Sequence, residues 1–270
     1  MRDYRLIALD LDGTLTNAQK VITPKTKEAL MKAQNAGVRV ILATGRPPYG
    51  VRPLADELDL VHHNGFILCY NGGLFMDYAS GDCLFEQTLP MDMLPYLCRC
   101  AHESGFTIMT YKETELLTEK PDDIYVQKAA FINKIKVRQV ADFQSDVPAP
   151  IYKCLIVGEP DGLHQLELKM HDEVQGKLDV FRSEPFFLEV VPCGINKAKS
   201  LDCLMQKLGL THDNLIAVGD GWNDASMIQY AGLGVAMANA QDEVKAIADY
   251  ITLHTNEEDG VAEVVEKFLL

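Results

Sequence analysis

Residues 8–16 read ALDLDGTLT and continue an apolar run that begins at Leu6. The run predicts a short buried strand, which ends where Asp10 and Asp12 stand one residue apart, just before Gly13. Two carboxylates at the end of a buried strand are unfavourable unless a cation or hydrogen-bond donors offset their charge. Residues two apart on an extended chain face the same side, so both carboxylates can address one ligand.

Outward from this stretch, short apolar runs alternate with helical stretches, as in parallel β-α-β units. Thr23 and Pro24 have the residue types of a helix N-cap and first turn, and Gly37 is suited to end that helix. The next strand is predicted over 38–43 and ends in Thr44, and Asn71-Gly72-Gly73 predicts a hairpin turn between strands over 66–70 and 74–77. The same alternation returns near the carboxyl-terminal end of the chain, where strands are predicted over 187–191, 215–219 and 233–237. These patterns predict an α/β fold with a parallel sheet.

The middle of the chain follows a different pattern. Between residues 84 and 187 we predict short strands and helices in a mixed rather than parallel order, interrupted by a polar, proline-bearing stretch. We therefore predict a core split in sequence into residues 1–83 and 188–270, with a second domain inserted over 84–187.

Composition limits the possible functions. The chain has 270 residues and a formal net charge of −14, so its overall field does not attract nucleic acid or an anionic membrane surface. An anionic small molecule would need local cations or a metal. The seven cysteines are an odd number without a zinc-type spacing, which indicates reduced thiols. Together with the lack of a leader-like or membrane-spanning segment, they predict a cytoplasmic protein.

Polar residues follow several of the predicted core strands. In an open parallel sheet, ligands bind at the carboxyl ends of the strands. Asp10, Thr44 and Asp220 stand at such positions, and Lys197 begins a helix. Carboxylates that converge there would repel one another without a cation, and hard oxygen ligands suit Mg²⁺. The pattern favours metal-assisted phosphoryl transfer.

Four motifs carry a resemblance to a known family. DLDGT at 10–14, ATGR at 43–46, GINKAKSL at 194–201 and GDGWND at 219–224 resemble, in order and spacing, the motifs of haloacid dehalogenase (HAD) superfamily phosphatases. The insertion is similar in position and length to the large α/β (C2-type) cap of the Cof-type subgroup, and the tail TNEEDGVAEVVEKFL also resembles that subgroup. The resemblance implies a Rossmann-like parallel-sheet HAD core with an inserted α+β cap domain.

The resemblance also implies roles for individual residues. Asp10 would be the nucleophile that forms an aspartyl-phosphate, and Asp12 the general acid and base. The implied cofactor is Mg²⁺, and the implied substrate is a small phosphomonoester, with sugar phosphates favoured. The metal-site residues would be Asp10, Asp12 (through its backbone carbonyl), Asp220 and Asp224. The phosphate- and substrate-binding residues would be Thr44, Gly45, Arg46, Lys197 and Asn223.

Other interpretations stay open at this point. Asp-Gly and Thr-Gly pairs are common in turns, an Asn-Asp pair can cap a helix, and a first-turn lysine is often exposed. A phospho-acceptor domain would also cluster aspartates, although it would not explain the insertion. A dinucleotide-binding oxidoreductase lacks support because no G-x-G-x-x-G follows the first strand. A phosphomutase is the alternative within phosphoryl transfer.

The sequence does not choose among hexose phosphates, nucleotides and phosphorylated cofactors as the substrate. It also does not give the roles of Arg46 and Trp222 or the oligomeric state.

Overall fold

A computed structural model describes residues 3–270 of the chain. The strands are β1 (Leu6–Leu9), β2 (Arg39–Ala43), β3 (Phe66–Cys69), β4 (Leu74–Asp77), β5 (Cys83–Glu86), β6 (Thr107–Lys112), β7 (Glu115–Thr118), β8 (Lys136–Gln139), β9 (Cys154–Val157), β10 (Leu178–Glu184), β11 (Phe187–Pro192), β12 (Leu215–Gly219), β13 (Leu233–Ala236) and β14 (Tyr250–Ile251). The α-helices are α1 (Pro24–Asn35), α2 (Pro48–Glu57), α3 (Leu94–Glu103), α4 (Ile124–Asn133), α5 (Phe143–Asp146), α6 (Pro160–Glu173), α7 (Lys197–Leu208), α8 (Ala225–Tyr230), α9 (Asp242–Ile247) and α10 (Gly260–Phe268).

The chain divides into two compact units. The first, here called the core unit, runs through Gly45 and includes Val51–Glu86 and Asn196–Leu270. The second, here called the inserted unit, consists of Arg46–Gly50 and Gln87–Ile195. No helix in the part of the chain that the structure describes is long and apolar enough to cross a membrane.

The core unit is built on one sheet with the order β14-β13-β12-β1-β2-β3-β4-β5. The strands from β14 to β3 are parallel, and β4 and β5 complete the sheet as antiparallel strands. Strand β1 lies between β12 and β2, and all four of its residues are buried. This position explains why its sequence is a continuous apolar run rather than an alternating one. The predicted α/β fold with a parallel sheet is confirmed.

Residues predicted to begin or end elements of the core unit lie at the ends of those elements in the structure. Helix α1 begins with Thr23 as N-cap residue and Pro24 in the first turn, and Gly37 beyond its end has a φ of +96°. The Thr23 side chain does not cap the helix but donates a hydrogen bond to Asp259. Strands β3 and β4 form the predicted hairpin, with Asn71 in the left-handed region at φ 57°.

The inserted unit contains a six-stranded sheet with the order β10-β11-β9-β6-β7-β8. Its strand pairs are antiparallel except for β7 and β8, so the sheet is mixed, as the sequence predicted. The side chains of Leu188 and Val190 on β11 join a buried cluster that includes Leu97 of α3 and Leu163 of α6.

Strand β11 corrects one sequence-based assignment. We expected residues 187–191 to begin the returning core alternation, but β11 pairs with β10 and β9 inside the inserted unit. The unit boundary in the structure accordingly lies between Ile195 and Asn196 rather than at 187–188. An apolar run of this length fits a buried strand of either sheet, so the sequence pattern alone could not assign it. The sequence patterns also do not predict β8, whose residues are mostly polar and exposed, the two-residue strand β14 or the four-residue helix α5.

Candidate active site

Two neighbouring parallel strands bring the candidate carboxylates together. Asp10 follows β1 and Asp220 follows β12, and the Asp10 backbone N–H donates a hydrogen bond to the Val218 carbonyl at 3.0 Å. Asp224 lies at the end of a short 3-10 turn after β12. One carboxylate oxygen from each of these aspartates lies within 4.8 Å of the other two. The carboxyl ends of the central strands therefore form a three-aspartate cluster.

Lys197 is the cation of this site. Its side chain is fully buried, and its Nζ donates to Asp10 Oδ1 at 2.6 Å, Asp224 Oδ1 at 2.5 Å and the Ala43 carbonyl at 2.7 Å. An ammonium group has three hydrogens, so these bonds use its full donor capacity. Asn196 caps helix α7 by accepting from the Lys199 backbone N–H, which fixes the first turn that carries Lys197.

The two carboxylate oxygens of Asp224 accept hydrogen bonds from different groups. Its Oδ1 pairs with Lys197, and its Oδ2 accepts hydrogen bonds from the backbone N–H groups of Asp220 and Gly221 at 2.9 and 3.0 Å. The side chain is fully buried. Asp224 thereby links the loop after β12 to the lysine. It is the N-cap residue of α8, but its side chain makes no capping hydrogen bond to that helix.

Asp220 is held from the loop after β1. The Thr14 hydroxyl donates to Asp220 Oδ1 at 2.8 Å. Gly13 has a φ of +89°, and a Cβ atom at that position would overlap the Asp220 carboxylate. Only glycine combines this backbone conformation with such a close approach. The glycine and threonine of the DLDGT motif thus shape the place that Asp220 occupies.

Burial and crowding change the protonation of these groups. Burial, together with the charge of Asp224, raises the pKa of Asp10 well above its usual range, against the opposing charge of Lys197. The same two causes raise the pKa of Asp220 to about 6, although the hydrogen bond from Thr14 acts in the other direction. Burial alone would lower the pKa of Lys197, but the charges of Asp10 and Asp224 more than offset this and raise it. Three carboxylates facing one ammonium leave a surplus of negative charge, and oxygen donors of this kind fit a hard divalent cation.

The raised pKa of Asp220 leads to a prediction about stability without metal. Its carboxyl group ionises near 3.8 when unperturbed and near 6 in the fold, so the folded state binds more protons between these values. The contribution of Asp220 to stability in chelator should therefore fall as pH rises from about 4 to about 6, and the cost of its ionisation should persist above that range. Asp220→Asn should remove this cost and stabilise the metal-free protein by about 2–3 kcal/mol at pH 8, with little difference at pH 4.

Urea unfolding in EDTA at several pH values measures this difference. Addition of Mg²⁺ at pH 8 should stabilise the wild type and leave Asp220→Asn nearly unchanged, because metal binding requires the ionised carboxylate. An Asp220→Asn protein that is equally destabilised at pH 4 and pH 8 would contradict the inference that ionisation of Asp220 destabilises the metal-free fold.

Asp12 stands apart from the three-aspartate cluster. Its Oδ1 accepts a hydrogen bond from Lys20 Nζ at 2.6 Å, and both side chains are partly exposed. The Asp12 carboxylate therefore pairs with a cation outside the three-aspartate cluster.

The other predicted site residues of the core unit, Thr44, Gly45 and Asn223, lie in the segments that follow strands β2 and β12. Thr44 is buried directly after β2, and its backbone N–H donates to the Leu68 carbonyl at 2.8 Å. Asn223 donates from Nδ2 to Asn71 Oδ1 at 3.2 Å. Gly45 lies against the same side chain, since a Cβ atom there would be 3.2 Å from the Asn71 amide.

Arg46 lies outside the core unit, and Trp222 is exposed to solvent. Arg46 belongs to the inserted unit, where it is 8% exposed and its Nη1 donates to the Gly50 carbonyl at 3.3 Å. Trp222 is 60% exposed on the turn that leads to Asp224.

Sequence reasoning missed three side chains that contact the site residues. Thr14 lies within the DLDGT motif, and its hydroxyl was not given a role. Asn71 was interpreted only as a hairpin residue, although it follows β3 and so stands at the same edge of the sheet as the other site residues. Lys20 lies in a loop where no local pattern marks it.

With this geometry described, comparison with known proteins identifies the family. The family model for haloacid dehalogenase-like hydrolases matches residues 7–265. The chain belongs to this family. The resemblance carried by the four motifs is thereby confirmed, as is the expectation of an enzyme of the hydrolase class.

Similar proteins support the same conclusion. A crystal structure of a haloacid dehalogenase-like hydrolase from Bacteroides thetaiotaomicron is 50% identical, with a TM-score of 0.94 and coverage of 98% of this chain and 99% of that one. The 5-amino-6-(5-phospho-D-ribitylamino)uracil phosphatase YcsE of Bacillus subtilis is 34% identical, over 99% of this chain and 97% of its own length. The pyridoxal phosphate phosphatase YbhA of Escherichia coli is 29% identical, over 98% and 99%. YcsE and YbhA are thus both named as phosphatases of phosphorylated small metabolites.

Proposed function

We propose that this HAD-family hydrolase is a Mg²⁺-dependent phosphatase that hydrolyses small phosphorylated metabolites, sugar phosphates above all, through an aspartyl-phosphate on Asp10. The observation that carries the proposal is the buried Lys197, whose Nζ holds Asp10 at 2.6 Å while Asp220 and Asp224 lie beside it. An ordinary turn does not bury a lysine among three carboxylates, whereas a phosphoryl-transfer site requires this combination of nucleophile, cation and metal ligands.

The first step transfers the phosphoryl group to the protein. A carboxylate oxygen of Asp10 attacks phosphorus, and the bond between phosphorus and the ester oxygen breaks. The proton of Asp12 passes to the departing oxygen, which leaves as an alcohol. Lys197 stays charged and neutralises part of the negative charge that collects around Asp10 during the transfer.

The second step releases inorganic phosphate. Asp12, now ionised, accepts a proton from a water molecule as the water oxygen bonds to phosphorus. The bond between phosphorus and the Asp10 oxygen breaks, which restores the Asp10 carboxylate, and Asp12 keeps the proton taken from the water for the next turnover.

The three-aspartate cluster supports a metal requirement. Mg²⁺ would be held by the carboxylates of Asp10 and Asp220 and the backbone carbonyl of Asp12, with Asp224 beside them, and would supply positive charge to the phosphoryl oxygens. Thr44, Gly45 and Asn223 stand at the same edge of the sheet and are proposed as phosphate-binding residues.

We assign substrate selection to the inserted unit, which contains Arg46, and expect it to act as a cap. The two named relatives point to the kind of ester involved. The phosphate groups named in the substrates of YcsE and YbhA are both carried on a primary alcohol carbon. Primary alcohol phosphates, including sugar and sugar-alcohol phosphates, are therefore the substrates to test first.

A screen of about a hundred phosphomonoesters for released phosphate tests the proposal. We expect free phosphate from several primary alcohol phosphates with Mg²⁺ present, and its loss in EDTA followed by recovery when Mg²⁺ is restored. Trp222 provides a separate readout, because its indole lies two residues from Asp220 and Mg²⁺ should change its fluorescence. Asp220→Ala should abolish that change. Full activity in chelator, with the metal content measured as negligible, would contradict the metal assignment, and phosphate transfer between positions of one sugar without release would indicate a phosphomutase.

A further inference from the structure

The loop after the DLDGT motif is a turn held by a β-bridge and by side-chain hydrogen bonds. Thr16 and Ile22 form an antiparallel bridge, and Asn17 Oδ1 accepts hydrogen bonds from two backbone N–H groups of the turn at 3.1 and 3.2 Å. Lys20 closes the turn in the left-handed region, with a φ of 61°. This conformation is unfavourable for a residue with a side chain, and such strain is retained where the surrounding structure imposes it, often at functional sites.

The strained residue is the one that contacts the predicted general acid. Lys20 Nζ donates to Asp12 Oδ1 at 2.6 Å, and the two side chains are 38% and 36% exposed. Ion pairs of this exposure add little to stability. A glycine, asparagine or aspartate would suit the backbone better, so neither the fold nor the turn explains a lysine here.

The turn is fastened to the rest of the core unit. The Ala18 backbone N–H donates to Glu257 Oε1 at 2.6 Å, and Asn256 Nδ2 donates to the Thr16 carbonyl at 2.9 Å. At the start of the same loop, Asn239 Nδ2 donates to the Gly13 carbonyl at 2.8 Å. The segment that precedes Lys20 is therefore held to the core unit at three backbone positions.

We propose that Lys20 is a positioning residue that holds the Asp12 carboxyl group in the orientation from which it passes its proton to the departing oxygen. The inference rests on the proposed phosphatase function. The ion pair with Lys20 restricts the rotamer of this partly exposed aspartate, and proton transfer depends strongly on a fixed geometry. Lys20 acts through Asp12 and is not assigned a contact with substrate.

The proposal predicts a dependence on the leaving group. A departing alkoxide needs its proton, whereas an activated phenolate such as p-nitrophenolate leaves without one. Lys20→Met should therefore lower kcat/KM for alkyl phosphates by about 10- to 100-fold. For p-nitrophenyl phosphate the decrease should stay within about threefold, since the phosphoryl transfer itself is retained. A plot of log kcat/KM against leaving-group pKa should accordingly be steeper for the variant.

Three further variants separate positioning from structure. Lys20→Arg should restore most of the alkyl phosphate activity because it keeps a cationic donor. Lys20→Gly removes the ammonium group but suits the left-handed backbone, so its unfolding midpoint should equal or exceed that of the wild type while its leaving-group slope matches Lys20→Met. Lys25→Met removes the same charge from an exposed position on α1 that is paired with Glu266 at 3.9 Å, and it should leave the slope unchanged.

The outcomes distinguish this inference from the proposed function. If the wild type releases no phosphate from any ester, the phosphatase proposal fails. If the wild type is active and Lys20→Met retains its alkyl phosphate activity, the positioning role is wrong. An equal loss for alkyl and p-nitrophenyl esters would also overturn it, because it would place Lys20 on the phosphoryl group instead of on Asp12.

Discussion

Asp10→Asn is expected to lower turnover at least about a thousandfold, because an amide oxygen does not replace the carboxylate as the attacking nucleophile. The substitution keeps the size of the side chain and an oxygen that can accept from Lys197, so the fold should persist. Steady-state phosphate release on the best substrate of the screen measures the effect, and circular dichroism with an unfolding midpoint verifies the fold.

Asp12→Asn gives a matched comparison for Asp10→Asn. It changes a carboxylate two residues away in the same loop, and it should also stall turnover. With an activated ester, however, Asp12→Asn should still accumulate the phosphorylated protein, whereas Asp10→Asn should not. Wild-type turnover in purified, folded Asp10→Asn would contradict the assignment of the nucleophile.

Replacing Lys197 by methionine should affect both turnover and stability. The methionine approximates the length of the side chain but leaves Asp10 and Asp224 without their shared cation. Loss of one partner from a buried ion pair costs about 3–5 kcal/mol, and loss of a group that neutralises charge in phosphoryl transfer costs about 10²- to 10³-fold in kcat. The destabilisation should be smaller at pH 5 than at pH 8, since the remaining carboxylates can take up protons as pH falls.

Lys199→Met provides the control on the same helix. Lys199 lies two residues along α7 and is exposed, so its substitution removes an equal charge without opening the buried cluster. Urea unfolding and kcat measured on both variants separate the local effect from the change in net charge. If Lys197→Met were as stable and as active as Lys199→Met, the buried lysine would not be the cation of the site.

The sequence predicts the core fold well because its local and long-range signals agree. The apolar run before Asp10 predicts a buried strand and forms β1, and the capping and turn residues at Thr23 and Asn71 lie at the ends of the elements that they predicted. The three aspartates and Lys197 are separated by up to about two hundred positions in the chain, yet each stands where a parallel sheet ends or a helix begins. The topology therefore brings the three aspartates and Lys197 together at the carboxyl ends of the parallel strands.

The contacts that sequence reasoning missed depend on backbone geometry. Lys20 reaches Asp12 from a turn in which its backbone is left-handed, and no periodicity encodes such a turn. The Asn223 contact with Asn71 joins two loops from strands that are not neighbours in sequence. Strand β11 shows a further limit, because an apolar run indicates burial without indicating which of two sheets it joins.

The central claim is that phosphate passes through Asp10, and trapping the phosphorylated protein tests it most directly. The wild type is mixed with p-nitrophenyl phosphate and Mg²⁺, quenched in acid within the first turnover, digested and analysed by mass spectrometry. An aspartyl-phosphate intermediate on Asp10 predicts one added HPO₃ group on the peptide that contains Asp10, with borohydride reduction converting that residue to homoserine. Release of phosphate in the first turnover with no phosphorylated peptide, or with the phosphate on another residue, would contradict the account.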